Sequence, residues 1–260
     1  MKRRYLDHAS VPAFAHRGGS YHPEIEGPEN TMAAFSHAVA LGYDYLETDV
    51  HVTRDGVLLA FHDDVLDRVT DKTGSIAETS YADVQAALIG GRERVPTLAE
   101  LFEAFPDVKF NIDIKSAGSV PALADFISEH DARDRVLVGS FSGRRLNQFR
   151  RLTDRRVATS AHPREVAAYV LSPSAALARL LTPGRPDALQ VPHRRGRLTV
   201  ASRGVIRRAH ANGVQVHVWT IDEQAEMIEL LDRGVDGLIT DRTDILCDVL
   251  RSRGQWEDKS

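Results

Sequence analysis

Short strand-forming runs alternate with amphipathic segments along most of the chain, and this alternation constrains the fold more than any other feature. The candidate strands are "VPAFAH", "YLETDV", "VLLAFH", "VKFNIDIK", "RVLVGSF", "RVATSA", "DALQVP", "VQVHVWT" and "DGLITD", and helical patterns such as "TMAAFSHAVALG" and "TLAELFEAF" separate most of them. Such an order argues for a parallel sheet, in which each step to the next strand needs a crossover of a dozen or more residues. The link "TRDG" between the second and third runs is too short for one, so these two should form an antiparallel hairpin. Setting "VLLAFH" aside leaves eight strands. That number predicts an α/β fold, a TIM-type (β/α)8 barrel with an extra antiparallel hairpin strand after the second barrel strand, over about the 250 residues such domains take. An open doubly wound sheet is the alternative. Residues 1–260 read as a single domain with its core at about 12–250, and the tail "RSRGQWEDKS" is expected to fray.

Composition narrows the class. With 260 residues, 42% of them hydrophobic, the chain can bury a sizeable core. A net charge of −4 offers no excess of positive charge to a nucleic-acid backbone or an anionic membrane, so a nucleic-acid partner is not expected. The one cysteine, Cys247, excludes an intramolecular disulfide, and "MKRRYLDHASVPAF" is basic but lacks the apolar core of a secretory signal. The longest apolar runs, such as "VLLAF", are far too short to span a bilayer. A cytoplasmic protein without stable membrane insertion is expected, and no pattern specifies an oligomeric state.

Strand parity then locates charge. Side chains two apart share a face, so Tyr45, Glu47 and Asp49 point one way while Leu46, Thr48 and Val50 point the other. In "FNIDIK" the same rule groups Asn111, Asp113 and Lys115, and in "VQVHVWT" it groups Gln215, His217 and Trp219. Three strands thus turn a polar face into the barrel, and barrel enzymes carry their active sites at the carboxyl ends of the strands. Pairing around "RDG" brings His62 back to about the level of Asp49. Three carboxylates with no cysteine among them make an oxygen-rich site suited to Mg²⁺, Ca²⁺ or Mn²⁺ rather than Zn²⁺. The bland alternative is an ion-pair network in which Glu47, Asp49 and Asp113 neutralise Arg17 and Lys115. Upstream, "AFAHRGGSYHPEIEGPENT" places His16 and Arg17 at the end of the first strand, and Glu29 and Asn30 before the first helix. "PENT" also reads as a plain helix start.

Taken in order, "HRG", "PENT", "ETDVHVTRDGVLLAFHDDVLDRVT", "NIDIK", "VHVWT" and "DGLITD" resemble the signature of the glycerophosphodiester phosphodiesterases, from about Phe14 to Asp241. The resemblance implies a metal-dependent barrel enzyme that hydrolyses glycerophosphodiesters to sn-glycerol 3-phosphate and an alcohol. It implies His16 and His62 as the acid/base pair and Glu47, Asp49 and Asp113 as ligands of one divalent cation, Mg²⁺ or Ca²⁺, with Mn²⁺ a further candidate. Arg17 and Lys115 are implied as phosphate-binding cations and Trp219 as pocket wall, with Glu29 and Asn30 supporting them from behind. The chain departs from the pattern twice. Asp113 stands where the family usually has Glu, one methylene shorter, and the loop "SYHPEIEG" is longer than usual, which suggests that it covers the site and restricts the head group.

The remaining histidines have plainer expectations. His8, His22, His37, His130 and His210 read as solvated or helical, His51 as part of the hairpin, and His217 as barrel filling. His193 is a candidate substrate contact, Arg194 to Arg197 a solvated loop, and Cys247 a buried helical residue. Two other readings stay open: a phospholipase D-like activity on lysophospholipids, which would favour an apolar surface near the mouth, and a barrel that binds glycerophosphodiesters without turnover.

Overall fold

Alternation along the strands sorts the apolar side chains into two cores. Leu46, Val50, Phe110, Ile112, Ile114, Val216 and Val218 belong to the larger core beneath the helices. Phe14, Tyr45, Leu137, Ala158, Ala188 and Ile239 fill the inside of the barrel instead. The computed structural model describes residues 4–7, 11–25 and 28–256. His8, Glu26, Gly27 and the last four residues of the tail lie outside the described residues.

In chain order, β1 (Ala13–His16) leads through α1 (Met32–Ala40) to β2 (Tyr45–Val52), which turns back as β3 (Leu58–Ala60). A short helix, α2 (Tyr81–Gln85), and a small hairpin, β4 (Leu88–Ile89) with β5 (Glu93–Arg94), precede α3 (Leu98–Ala104). The chain then runs through β6 (Lys109–Ile114), α4 (Ser119–Glu129), β7 (Val136–Gly139), α5 (Gly143–Leu152) and β8 (Ala158–Thr159). Two helices, α6 (Pro163–Leu171) and α7 (Ala175–Leu181), cross to β9 (Ala188–Pro192), and a second small hairpin follows, β10 (Arg194–Arg195) with β11 (Leu198–Thr199). The last elements are α8 (Arg203–His210), β12 (Gln215–Trp219), α9 (Gln224–Arg233), β13 (Gly237–Thr240) and α10 (Thr243–Ser252).

All nine candidate strands are present. Eight of them pair in the order β8-β7-β6-β2-β1-β13-β12-β9, with β3 hydrogen-bonded to β2 off this path. The two ends of the path meet, because Asp187 N donates to Thr159 O at 2.8 Å and Ala161 N to Ala188 O at 2.8 Å. An open doubly wound sheet is thereby excluded: the sheet closes into the (β/α)8 barrel. The expected hairpin has Val50 opposite Ala60 in antiparallel register.

The amino-terminal segment departs from expectation. Tyr5 and Leu6, in a 3₁₀ turn at Arg4–Leu6, join the barrel's inner core, and Tyr5 is 1% exposed. Lys109 Nζ fastens this plug by donating to Tyr5 O and Asp7 O, each at 3.0 Å. The core therefore starts well before residue 12. A run of three ordered residues with one aromatic gives no periodic signal, so neither pattern nor propensity marks it.

Candidate active site

The first strand ends in a turn that only glycine can build. Gly18 and Gly19 have φ of +90° and +81°, and a Cβ on Gly19 would come within 2.4 Å of Thr243 Cγ2. Gly19 N donates to His16 O at 2.8 Å, and Asn30 N closes the loop onto Arg17 O at 2.8 Å. His16 and Arg17 are thus held at the carboxyl end of β1. On the neighbouring strands Glu47 lies beside Asn111 and Asp49 beside Asp113 in parallel register. Phe61 N donates to Asp49 O at 2.9 Å, which sets His62 next to the acids as the hairpin arithmetic required. One cavity of about 850 Å³ is lined by His16, Arg17, Glu47, Asp49, His62, Asn111, Asp113, Lys115 and Trp219. Trp219 stands edge-on to Phe141, with ring centroids 5.8 Å apart, at its rim.

Much of the charge is paired. Lys115 Nζ lies 2.9 Å from Asp49 Oδ1 and 2.7 Å from Asp113 Oδ2, and Arg17 Nε lies 3.2 Å from Asp49 Oδ2. Burial would raise the Asp49 carboxyl, yet Lys115 and Arg17 hold it below the usual range. Burial pushes Asp113 up, with Lys115 opposing. Burial would lower the Lys115 ammonium, and Asp49 and Asp113 outweigh it and raise it. Glu47 is different. Its Oε2 accepts from Arg17 N at 3.1 Å and lies 3.8 Å from His16 Nε2. Burial first, and Asp49 next, push its carboxyl up to about 7.

Each candidate acid/base histidine is oriented by a carboxylate that lies within a quoted motif, Asp241 in "DGLITD" and Asp63 in "AFHDD", but the motif alone gives it no role. His16 Nδ1 sits 3.0 Å from Asp241 Oδ1, which also accepts from Ser20 Oγ at 3.1 Å. Burial alone would lower the His16 imidazole, but Glu47 and Asp241 outweigh it and raise its pKa to about 9. His62 Nδ1 sits 2.5 Å from Asp63 Oδ1. Arg68 clamps Asp63 at 2.5 Å and Glu29 at 2.6 Å, so that Arg68 and His62 overcome burial and hold Asp63 down to about 2. Glu29 also accepts from Arg17 at 3.2 Å. Asn30 donates to Asp49 Oδ2 at 3.2 Å and accepts from Thr48 Oγ1 at 2.8 Å. Glu29 and Asn30 thus contact Arg17 and Asp49, two residues that line the cavity. In each histidine a carboxylate on Nδ1 fixes the ring and leaves Nε2 for chemistry.

The ion-pair reading and the cation reading meet in this geometry. The three acids do not offer three oxygens within 4.8 Å of one another, whereas His22, Glu24 and His37 do. That second group lies outside the cavity, and within it His22 Nδ1 accepts from Glu24 N at 3.1 Å. Within the cavity, however, Asn111 Oδ1 is buried with no hydrogen-bond partner among the described residues, in register beside Glu47. An orphaned oxygen and a buried carboxylate forced toward its neutral form are what a hard, oxygen-preferring cation would stabilise. In its chemistry, though not in the spacing of the three acids, the donor set suits a divalent cation.

The family model of the glycerophosphoryl diester phosphodiesterases matches residues 16–245. The chain belongs to this family. A glycerophosphodiester phosphodiesterase of Mycobacterium tuberculosis, named as probable, is 41% identical over 97% of this chain and 96% of its own length. The fold matches a glycerophosphoryl diester phosphodiesterase-like structure from Silicibacter pomeroyi with a TM-score of 0.81, at 21% identity over 98% of this chain and 100% of that one. It also matches an Oleispira antarctica phosphodiesterase, in complex with the product sn-glycerol-3-phosphate, with a TM-score of 0.77 at 23% identity, over 93% and 97% of the two chains.

This glycerophosphodiester phosphodiesterase family member departs from several sequence expectations. None of the described residues of the long loop, Ser20 to Ile25, lines the cavity. The loop folds back instead, with Tyr21 N donating to Asp241 O at 3.2 Å and the His22 ring packed 4.2 Å from that of His37 on α1. His22 is therefore buried and lies in a turn, not solvated. His193, a candidate substrate contact in the sequence, does not line the cavity. Its Nδ1 meets Glu226 and its Nε2 accepts from Arg233 at 3.0 Å, both on α9, outside the barrel. Arg195 lines the cavity mouth as part of the β10–β11 hairpin, so the "RRGR" run is structured. His51, on β2, donates from Nε2 to His62 O at 3.1 Å, and His217 is fully buried inside the barrel. His37 lies on α1, His130 and His210 are exposed, and Cys247 is buried on α10. No helix among the described residues is long and apolar enough to cross a membrane.

Proposed function

We propose that this chain hydrolyses glycerophosphodiesters to sn-glycerol 3-phosphate and an alcohol, and that Glu47, Asp49 and Asp113 hold one divalent cation, Mg²⁺ or Ca²⁺, with Mn²⁺ as a substitute. The observation that carries this reading is the pair of imidazoles, His16 with Asp241 and His62 with Asp63, that open into one cavity with Arg17 and Lys115. The product complex of the Oleispira phosphodiesterase supports the choice of sn-glycerol 3-phosphate. When bound, the cation supplies positive charge to the phosphate's non-bridging oxygens, and the buried acids supply a hard, anionic ligand set for it.

The protein groups do the rest. Arg17 and Lys115 attract and orient the phosphodiester anion in a cavity with restricted access to water, where their charge acts more strongly than in solution. One imidazole removes the proton of the attacking oxygen, which belongs to water or to the glycerol 2-hydroxyl. The other protonates the departing alkoxide. The carboxylate on the Nδ1 of each ring, Asp241 or Asp63, steadies the imidazolium that takes part in each proton transfer. Trp219 and Phe141 form part of the cavity wall. The test is an assay of glycerol 3-phosphate release from glycerophosphocholine, glycerophosphoethanolamine and glycerophosphoglycerol. Release from at least one is expected. No release from any of them, with Mg²⁺, Ca²⁺ or Mn²⁺ supplied, would leave a barrel that binds diesters without turning them over.

A further inference from the structure

A second group of metal-binding residue types lies away from the cavity, where the loop after β1 folds back onto α1. His22 and Glu24 of the loop and His37 of α1 each present one ligand atom, and the three atoms lie within 4.8 Å of one another. None of the three residues lines the cavity. The rings of His22 and His37 pack with centroids 4.2 Å apart, and His37 Nε2 lies 3.0 Å from Glu24 Oε2. The other ring nitrogen, His37 Nδ1, is buried without a hydrogen-bond partner among the described residues. His22 is 6% exposed, and burial first, with His37 next, lowers its imidazole, so the ring is neutral at pH 7 and keeps a lone pair. Two imidazoles held against each other cannot both carry charge cheaply. The group therefore suits a ligand that takes lone pairs better than a pair of protons.

We propose that His22, Glu24 and His37 form a second metal site, which takes a transition-metal dication of the zinc class and fastens the loop to α1. Two imidazoles and one carboxylate are among zinc's usual donor sets, whereas Mg²⁺ and Ca²⁺ take oxygen ligands. The chain thus carries two sites that sort cations by donor, oxygen-rich in the barrel and nitrogen-rich under the loop. Zinc bonds of about 2.0–2.1 Å put tetrahedral ligand atoms roughly 3.4 Å apart, so a small closure of the loop completes the set. His37 and Glu24 already meet through a hydrogen bond whose proton the ion displaces. His22 gives up the bond that its Nδ1 accepts from Glu24 N at 3.1 Å, and that N–H, on an exposed residue, turns to water. Water also fills the fourth position on the exposed side of Glu24. The site is structural and independent of the reaction argued above. Its link to the cavity is one of contact, since Ser20 Oγ and Tyr21 N of the same loop both donate to Asp241, the residue that orients His16.

The test is a Zn²⁺ titration of the full chain, stripped with chelator and held in excess Mg²⁺, with the imidazole resonances followed by NMR. One Zn²⁺ should bind at micromolar concentration and shift the ring signals of His22 and His37. Losing even a supporting partner of a metal ligand costs about 10–100-fold in affinity, so His37→Gln and Glu24→Gln, which remove ligands, should weaken Zn²⁺ by about a hundredfold or more. A Glu47→Gln, Asp113→Asn double variant, which alters only the barrel acids, should keep the Zn²⁺ affinity within about twofold. The Glu24 side chain is 75% exposed, so Glu24→Gln should melt with the parent in chelator, and the parent alone should gain Tm when Zn²⁺ is added. Absence of micromolar Zn²⁺ binding overturns the site. So does binding that leaves the two rings unshifted, that survives both ligand variants, or that disappears with the barrel acids.

Discussion

Glu47 is the buried carboxylate in the cavity with the least compensation from cationic side chains, and a bound cation should be felt there first. Its carboxyl is pushed up to about 7, so below that pH it carries a proton that a cation must displace. Cation affinity should accordingly hold steady above pH 7 and fall by about tenfold per unit below it, as calorimetric titration across pH 5–9 would show. An affinity flat through that range would remove Glu47 from the ligand set. Asp113→Glu should keep binding and change the preferred ion, because the longer side chain moves the ligand oxygen. At the histidines the expectation concerns rate. His16→Ala or His62→Ala should lower kcat by about 10²–10⁴-fold, the usual worth of a positioned acid or base, while cation binding survives. The double variant should be little worse than either single one, since groups acting together are non-additive. Near-normal kcat in either single variant would take that histidine out of the chemistry.

Among the elements, legibility in the sequence followed locality. Glu47 and Asp49 could be placed on one face of β2, and His62 beside Asp49, because parity and a four-residue link are local facts. Asp241 could not be assigned to His16, which lies 225 positions away, since only closure of β1 against β13 brings them together. The part of α6 in the cavity lining was hidden for another reason: Val166 and Val170 are four apart in "PREVAAYVL" and look like any core stripe in the sequence, although both line the cavity. The long loop was misplaced because its length said nothing of direction. Two expectations follow at this scale. Shortening the loop between Ser20 and Gly27 should leave the ranking of choline, ethanolamine and glycerol diesters unchanged; a reordered ranking would return the loop to the site. Arg150→Ala should destabilise the fold by about 3–5 kcal/mol in urea unfolding, because it strands the buried Glu165 carboxylate. A loss below about 1 kcal/mol would show that α6 is held by its apolar contacts instead.

For the whole molecule, the barrel sets a division of labour between its ends. The amino end is plugged by Tyr5 and Leu6, and the carboxyl end gathers cations, carboxylates and imidazoles from β1, β2, β3, β6 and β13 into one opening. No single strand could supply that set, and the closed sheet brings the strand ends within reach of one phosphate. What unifies them in the account is the cation, without which the inward carboxylates would only neutralise Arg17 and Lys115. The most direct test strips the protein with chelator, restores Mg²⁺, Ca²⁺ or Mn²⁺ in steps, and follows bound metal by elemental analysis and glycerophosphocholine hydrolysis in the same samples. Hydrolysis should vanish on stripping and return in proportion to occupancy, saturating at one cation per chain. Full hydrolysis in excess chelator, with no metal in the protein, would contradict it.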